Sequence, residues 1–168
     1  MKTGILVGDM HTVHTVTIAT GDAMEAFGRQ LGVLLRGGEV FALNGDVGTG
    51  KTTMTKGLAA GMGITEVVQS PTFTIERLYD APEQRQLAHY DFYRLADAGI
   101  MRAELEEALT TPGNVVVIEW NEIIRDVLPE SGTIICDFAY DGETGRRLTV
   151  TVPERFDYLL PVLKKETT

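Results

Sequence analysis

The chain has 168 residues, 43% of them apolar, which is enough for one domain with a real core. Its formal net charge is −9, and beyond Arg146-Arg147 and Lys164-Lys165 it has no basic cluster, so the isolated chain is not expected to hold tRNA or DNA stably. No apolar run approaches the ~18 residues that cross a membrane, and a single cysteine, Cys136, excludes an internal disulfide.

Met1-Lys2 is followed by a short apolar patch that Asp9 and two histidines soon interrupt, which makes a poor signal peptide. The cytoplasm is the expected compartment. There is no internal repeat, low-complexity tract or long linker, so residues 1–168 read as a single domain.

Thr12 to Ile18, rich in Thr and Val, predicts a first strand. Thr20 can cap a helix starting near Asp22, whose apolar face carries Phe27, Leu31, Leu34 and Leu35. Gly37-Gly38 end it. Val40 to Leu43 is a short unbroken apolar strand of the kind buried on both faces. A glycine-rich loop follows, then a helix from about Lys51 to Met62 with Met54, Leu58 and Met62 on one side, closed by Gly63. Thr74 to Tyr79 and Gln86 to Tyr90 read as strands joined at Asp80-Ala81-Pro82. Ala96 to Leu109 reads as a helix, broken by Thr111-Pro112-Gly113. Val115 to Ile118 is a second fully buried strand, ended by Glu119, with a short helix after it around Asn121 to Val127. Thr133 to Phe138, where Cys136 is a buried strand residue, and Arg147 to Val152 pair around Asp141-Gly142. The tail from Glu154 is mixed, with some helical character. Helices alternating with buried strands make the fold class α/β.

Gly45, Asp46, Val47, Gly48, Thr49, Gly50, Lys51 and Thr52 fit the pattern G-x-x-x-x-G-K-[ST]. A loop that wraps a phosphate turns its backbone N–H groups inward, and glycines allow the dihedrals this needs. The helix that follows adds its partial positive charge. Lys51 can reach the β- and γ-phosphates, the Thr52 hydroxyl can ligate Mg²⁺, and Thr53 extends the set. The strand before the loop and the helix after it supply the context that such a match requires, so ATP with Mg²⁺ is the expected ligand.

A metal and an attacking water need carboxylates near the phosphates. Glu119, at the end of a buried strand, is the first candidate, as catalytic residue and metal ligand. Asp91 is the second, though an aspartate there can equally cap a helix. Thr72 in Ser70-Pro71-Thr72 can sense a γ-phosphate or simply sit in a turn. Arg94 reads as a surface ion-pair residue, Trp120 as core or interface, and His11, His14 and His89 have no metal-ligand spacing with Cys136.

Four segments in order, Gly-Asp-Val-Gly-Thr-Gly-Lys-Thr-Thr at 45–53, Ser-Pro-Thr-Phe at 70–73, His-Tyr-Asp-Phe-Tyr-Arg-Leu at 89–95 and Ile-Glu-Trp at 118–120, resemble the TsaE (YjeE) family. These are small bacterial ATPases of tRNA threonylcarbamoyladenosine biosynthesis. The resemblance runs from about Thr20 to Glu130 and is loose beyond Ser131. It implies a three-layer P-loop fold around a central mixed, largely parallel sheet. It also implies an ATP-dependent partner of the TsaB–TsaD complex, which modifies tRNA at position 37. It gives Lys51 and Thr52 the phosphate and Mg²⁺ roles, Thr72 that of a switch threonine, Asp91 that of a catalytic or metal-assisting aspartate, and Glu119 that of a Walker-B-like glutamate.

Three other readings can be set beside this one. A GTPase should carry Asn/Thr-Lys-x-Asp, and no such segment occurs. A small-molecule kinase needs a lid with arginines, for which only Arg94 and Arg102 lie between Asp91 and Glu119. A nucleotide-gated binding protein with incidental hydrolysis would share every motif.

Overall fold

Strand β1 (His11–Ile18) leads into helix α1 (Gly21–Leu34), strand β2 (Val40–Asn44) and helix α2 (Lys51–Gly61). Strands β3 (Glu76–Ala81) and β4 (Arg85–Asp91), helix α3 (Met101–Thr110) and strand β5 (Asn114–Glu119) follow. A 3-10 turn (Asn121–Ile124), strands β6 (Thr133–Asp141) and β7 (Gly145–Pro153), a 3-10 segment (Glu154–Leu159) and helix α4 (Leu160–Leu163) come last. This is a computed structural model, and it describes residues 10–71, 73–93, 95–97, 99 and 101–165.

The strands form one seven-stranded sheet in the order β1-β7-β6-β2-β5-β4-β3. The four central strands, β6, β2, β5 and β4, are parallel to one another, and the outer pairings are antiparallel. Alternate residues of the central strands feed two cores. Phe41, Leu43, Leu87, Val115, Val117 and Cys136 face a core shared with α1 and α2. Val40, Ala88, Tyr90, Val116 and Ile118 face one shared with α3 and Ile124. The result is the three-layer α/β sandwich expected, with β2 and β5 buried along their length. Among the described residues, no helix is long and apolar enough to cross a membrane.

Local signals behave as their chemistry dictates. The Thr20 side chain accepts a hydrogen bond from the Ala23 N–H and caps α1. Gly63, at φ +87, closes α2 while the Ile64 N–H donates to the Ala59 carbonyl. Helices α1 and α2 meet through Gly28 and Gly32 on one and Gly57 and Gly61 on the other. A Cβ at Gly57 would fall onto the Glu25 carbonyl oxygen and lie 2.9 Å from Gly28 Cα. The spacing Gly-x-x-x-Gly on both helices brings their backbones together.

The last two strands run longer than expected, to Asp141 in β6 and from Gly145 in β7, and three other boundaries differ. The helix expected from Ala96 begins at Met101, because the Asp97 carboxylate accepts from the Gly99 N–H and Gly99 sits at φ +49. The strand expected from Thr74 begins at Glu76, because the Thr74 and Ile75 N–H groups both donate back to the Pro71 carbonyl, and Ile75 turns at φ +68. The helix expected over Asn121 to Val127 is a 3-10 turn that ends at Ile124. The tail is helical in two short pieces that lie against the α1 core.

Candidate functional site

The phosphate loop leaves the end of β2 and enters α2 at Lys51. Gly45, Gly48 and Gly50 all take positive φ, 142, 81 and 104, which only glycine adopts without strain. The loop is braced from within. The Thr49 hydroxyl donates to the Asp46 carbonyl at 2.7 Å, and the Lys51 ammonium donates to the carbonyls of Gly45 at 2.6 Å and Asp46 at 2.9 Å. Lys51 is buried and its Nζ stands 4.9 Å from the centre of the Trp120 ring. Burial pushes its ammonium below the ordinary lysine value, while Glu119, Asp91 and Asp46 pull it back up.

Parallel pairing brings the acids beside this loop. Asp91 ends β4 and Glu119 ends β5, and the two are register partners. Both are buried. With a period of two, Leu87, His89 and Asp91 share one face of β4, and Val115, Val117 and Glu119 share the same face of β5. That face is the α2 side, so both carboxylates look toward the start of α2. Thr52 Oγ1 lies 3.4 Å from Glu119 Oε1. Asp91 accepts from the Tyr93 N–H at 2.9 Å and from the Ser70 hydroxyl at 3.3 Å. Asp91 is thus the last residue of a strand, and among the described residues the next helix is α3, which opens at Met101, so the helix-cap reading does not apply.

One cavity of about 330 Å³ joins these groups. Val47, Gly48, Gly50, Lys51, Thr52 and Thr53 line one wall, and Ser70, Asp91, Tyr93, Glu119 and Trp120 the other. Gly45, Asp46 and Thr49 support the loop from behind. Thr72 and Arg94 lie outside the described residues. Arg102 points elsewhere: it pairs with Asp126 at 2.7 Å and with Glu106 at 3.3 Å, both on the surface, and supplies no cation to the cavity.

Two features escaped sequence reasoning. His89 is fully buried, and its Nε2 lies 2.9 Å from Glu119 Oε1. The i, i+2 spacing of His89 and Asp91 on one strand was the available signal. Trp120 takes the left-handed conformation at φ 56 and stacks obliquely on Tyr93, 4.7 Å between ring centres. It packs against the core cluster, as expected, and also forms part of the cavity wall, because the turn that follows Glu119 swings its ring over Lys51.

The family model described as Threonylcarbamoyl adenosine biosynthesis protein TsaE matches residues 18–148. A protein of Bacillus subtilis strain 168, named tRNA threonylcarbamoyladenosine biosynthesis protein TsaE, is 40% identical over 130 residues, 76% of this chain and 79% of its own. One of the same name from Nostoc sp. is 37% identical over 149 residues, 85% of this chain and 90% of its own. A crystal structure of YdiB from Bacillus subtilis superposes with a TM-score of 0.76 at 30% identity, covering 93% of this chain and 97% of that one.

Proposed function

The chain belongs to the TsaE family, and on that premise we infer that it is the ATP-binding and ATP-hydrolysing subunit used in threonylcarbamoyladenosine modification of tRNA. The observation that carries this reading is the single cavity into which Lys51, Thr52, Asp91 and Glu119 converge. Backbone N–H groups from Gly48 to Thr53, at the start of α2, favour a polyphosphate there. Lys51 supplies the fixed cation.

Mg²⁺ fits the donors present. Thr52 and Glu119 offer neutral and anionic oxygens 3.4 Å apart, the hard ligands this ion prefers. Among the described residues no group of three or more His, Cys, Asp or Glu side chains forms a metal site by itself. A cation that arrives with phosphate oxygens of its own suits such a sparse set. Bound there, it would neutralise charge developing on the transferred phosphoryl group. Glu119 then orients either the ion's water shell or the attacking water, and Asp91 holds the Ser70 segment against the same wall.

The cavity accommodates phosphates. On the family premise, the work of the nucleotide is done elsewhere, through nucleotide-dependent association with the TsaB–TsaD complex. The net charge of −9 suits a helper that does not itself hold tRNA. The test is ATP hydrolysis by the purified protein alone and with the modification complex added. Slow turnover that the complex accelerates supports the reading; phosphate transfer to a nucleoside with no release of inorganic phosphate would replace it with a small-molecule kinase.

A further inference from the structure

We propose that Tyr140 and Arg146, on the β6–β7 hairpin, form the shelf on which the purine base of the bound nucleotide stacks. The proposal rests on the ATP reading above and adds the element that selects the base.

Sheet order gives the direction. Strand β2 delivers the phosphate loop, and its two neighbours are β5 and β6. Both carboxylates that line the cavity, Asp91 and Glu119, lie with Trp120 on the β5 side, where they mark the terminal-phosphate end. The nucleoside must then leave the loop on the opposite side, past Val47 and Gly48, which form the cavity rim there. The hairpin that continues β6 stands at that rim.

Its two side chains are tied to the loop itself. The Tyr140 hydroxyl donates to the Val47 carbonyl at 2.9 Å. The Arg146 guanidinium donates to the Gly48 carbonyl at 3.1 Å and to the carbonyls of Thr144 and Gly145 at 3.0 and 2.8 Å. Its Cζ lies 4.5 Å from the centre of the Tyr140 ring. The guanidinium plane is thus fixed by three carbonyls, and the phenol by one. Tyr140 nevertheless stays 51% exposed. With Arg146 over the ring, a large aromatic held in place, half open to solvent and adjacent to a phosphate cradle is a stacking surface. Aromatic rings and arginine planes both stack on bases, and a purine offers the larger face.

Calorimetry with ATP, CTP and inorganic tripolyphosphate, each with Mg²⁺, tests the proposal on the wild-type protein, Tyr140→Leu and Tyr140→Phe. Wild type is expected to bind ATP tighter than CTP, and CTP no better than a few-fold above tripolyphosphate. Tyr140→Leu should weaken ATP on the order of 10-fold and leave tripolyphosphate unchanged. Tyr140→Phe, which keeps the ring and loses the tether, should retain the purine preference. Equal loss of ATP and tripolyphosphate in Tyr140→Leu overturns the shelf and makes Tyr140 a brace for the loop. Wild type that binds tripolyphosphate as tightly as ATP overturns it with no variant needed and leaves the phosphate site standing. Wild type that binds neither overturns the phosphate site as well.

Discussion

His89 Nε2 lies 2.9 Å from Glu119 Oε1, inside the sheet and away from solvent. The ring Nδ1 has no hydrogen-bond partner among the described residues. An imidazole that donates its Nε2 proton to Glu119 leaves Nδ1 as the bare nitrogen, the ring atom that tolerates burial better without a partner. His89 therefore holds the same carboxylate oxygen, Oε1, that faces the Thr52 hydroxyl, and so fixes the orientation of the carboxylate at the cavity.

His89→Ala is expected to lower the turnover number about 10-fold or more while ATP affinity changes little, since residues that orient a ligand typically carry 10–100-fold effects. His89→Gln, whose amide can still donate to Glu119, should recover part of the loss. Steady-state kinetics beside calorimetric affinity separates the two parameters. Parallel loss of affinity and turnover would assign His89 to packing alone.

Lys51→Ala should abolish the thermal stabilisation that ATP gives the wild type. Binding stabilises by RT ln(1 + [L]/Kd), so the shift vanishes with the affinity. The nucleotide-free variant should melt somewhat below wild type, because it loses the two hydrogen bonds that brace the loop and leaves Glu119 and Asp91 without that cation. Differential scanning fluorimetry with and without Mg·ATP reads both effects. A retained ATP shift would remove Lys51 from the phosphate site.

How far the sequence could lead depended on how local each signal was. The loop from Gly45 to Thr52 is a contiguous pattern, and its strand and helix neighbours are contiguous too, so the cradle was legible. The burial of β2 and β5 followed from unbroken runs of Val, Ile, Leu and Phe. The convergence of Asp91 and Glu119 is set by parallel register between strands 28 residues apart, which no local pattern encodes. The resemblance placed them together; the pairing of β4 with β5 is the physical reason. His89 stayed hidden for the same cause, since its partner lies across that pairing. The late start of α3 was missed because an Asp97 side-chain bond and one glycine outweigh the helical propensity around them.

Asp91→Asn should keep the fold. The amide oxygen can still accept from the Tyr93 N–H and the amide nitrogen can donate to Ser70, replacing the bonds that the carboxylate makes at 2.9 and 3.3 Å. The negative charge is lost. Hydrolysis is expected to fall at least about 10-fold, with the melting temperature little changed. Phosphate release under saturating ATP is the measurement, and wild-type turnover would confine Asp91 to ordering the Ser70 segment.

Gly57→Val probes the seating of α2. A side chain there meets the Glu25 carbonyl and the Gly28 backbone, so α1 and α2 must separate. Overpacking of this kind costs ~1–3 kcal/mol. Because α2 opens with Lys51 and Thr52, its displacement should also weaken ATP. Gly38→Ala is the control. Gly38 sits at φ +94 between α1 and β2 with open space around it, so any loss there is local strain without displacement of α2. Urea unfolding and calorimetry on the two variants should show reduced stability in both and reduced ATP affinity in Gly57→Val alone.

The last prediction concerns coupling to the modification complex. If ATP acts by changing affinity for another protein, the nucleotide must bind one state of this chain better than another, because a ligand shifts an equilibrium only by its differential affinity. By linkage, the TsaB–TsaD complex should tighten ATP binding by the same factor that ATP tightens binding of the complex. Typical couplings of about 1–3 kcal/mol correspond to roughly 5–150-fold. Glu119→Gln sharpens the comparison. The change is nearly isosteric and keeps Lys51 and the loop amides, so ATP should still bind while hydrolysis stops. The variant should then hold the complex longest and stall repeated rounds of tRNA modification. Association measured with ATP, ADP and a non-hydrolysable analogue, for wild type and Glu119→Gln, gives one side of the cycle; ATP affinity with and without the complex gives the other. Unequal factors on the two sides would mean a third state, and association of the same strength in every nucleotide state would remove the gating role altogether.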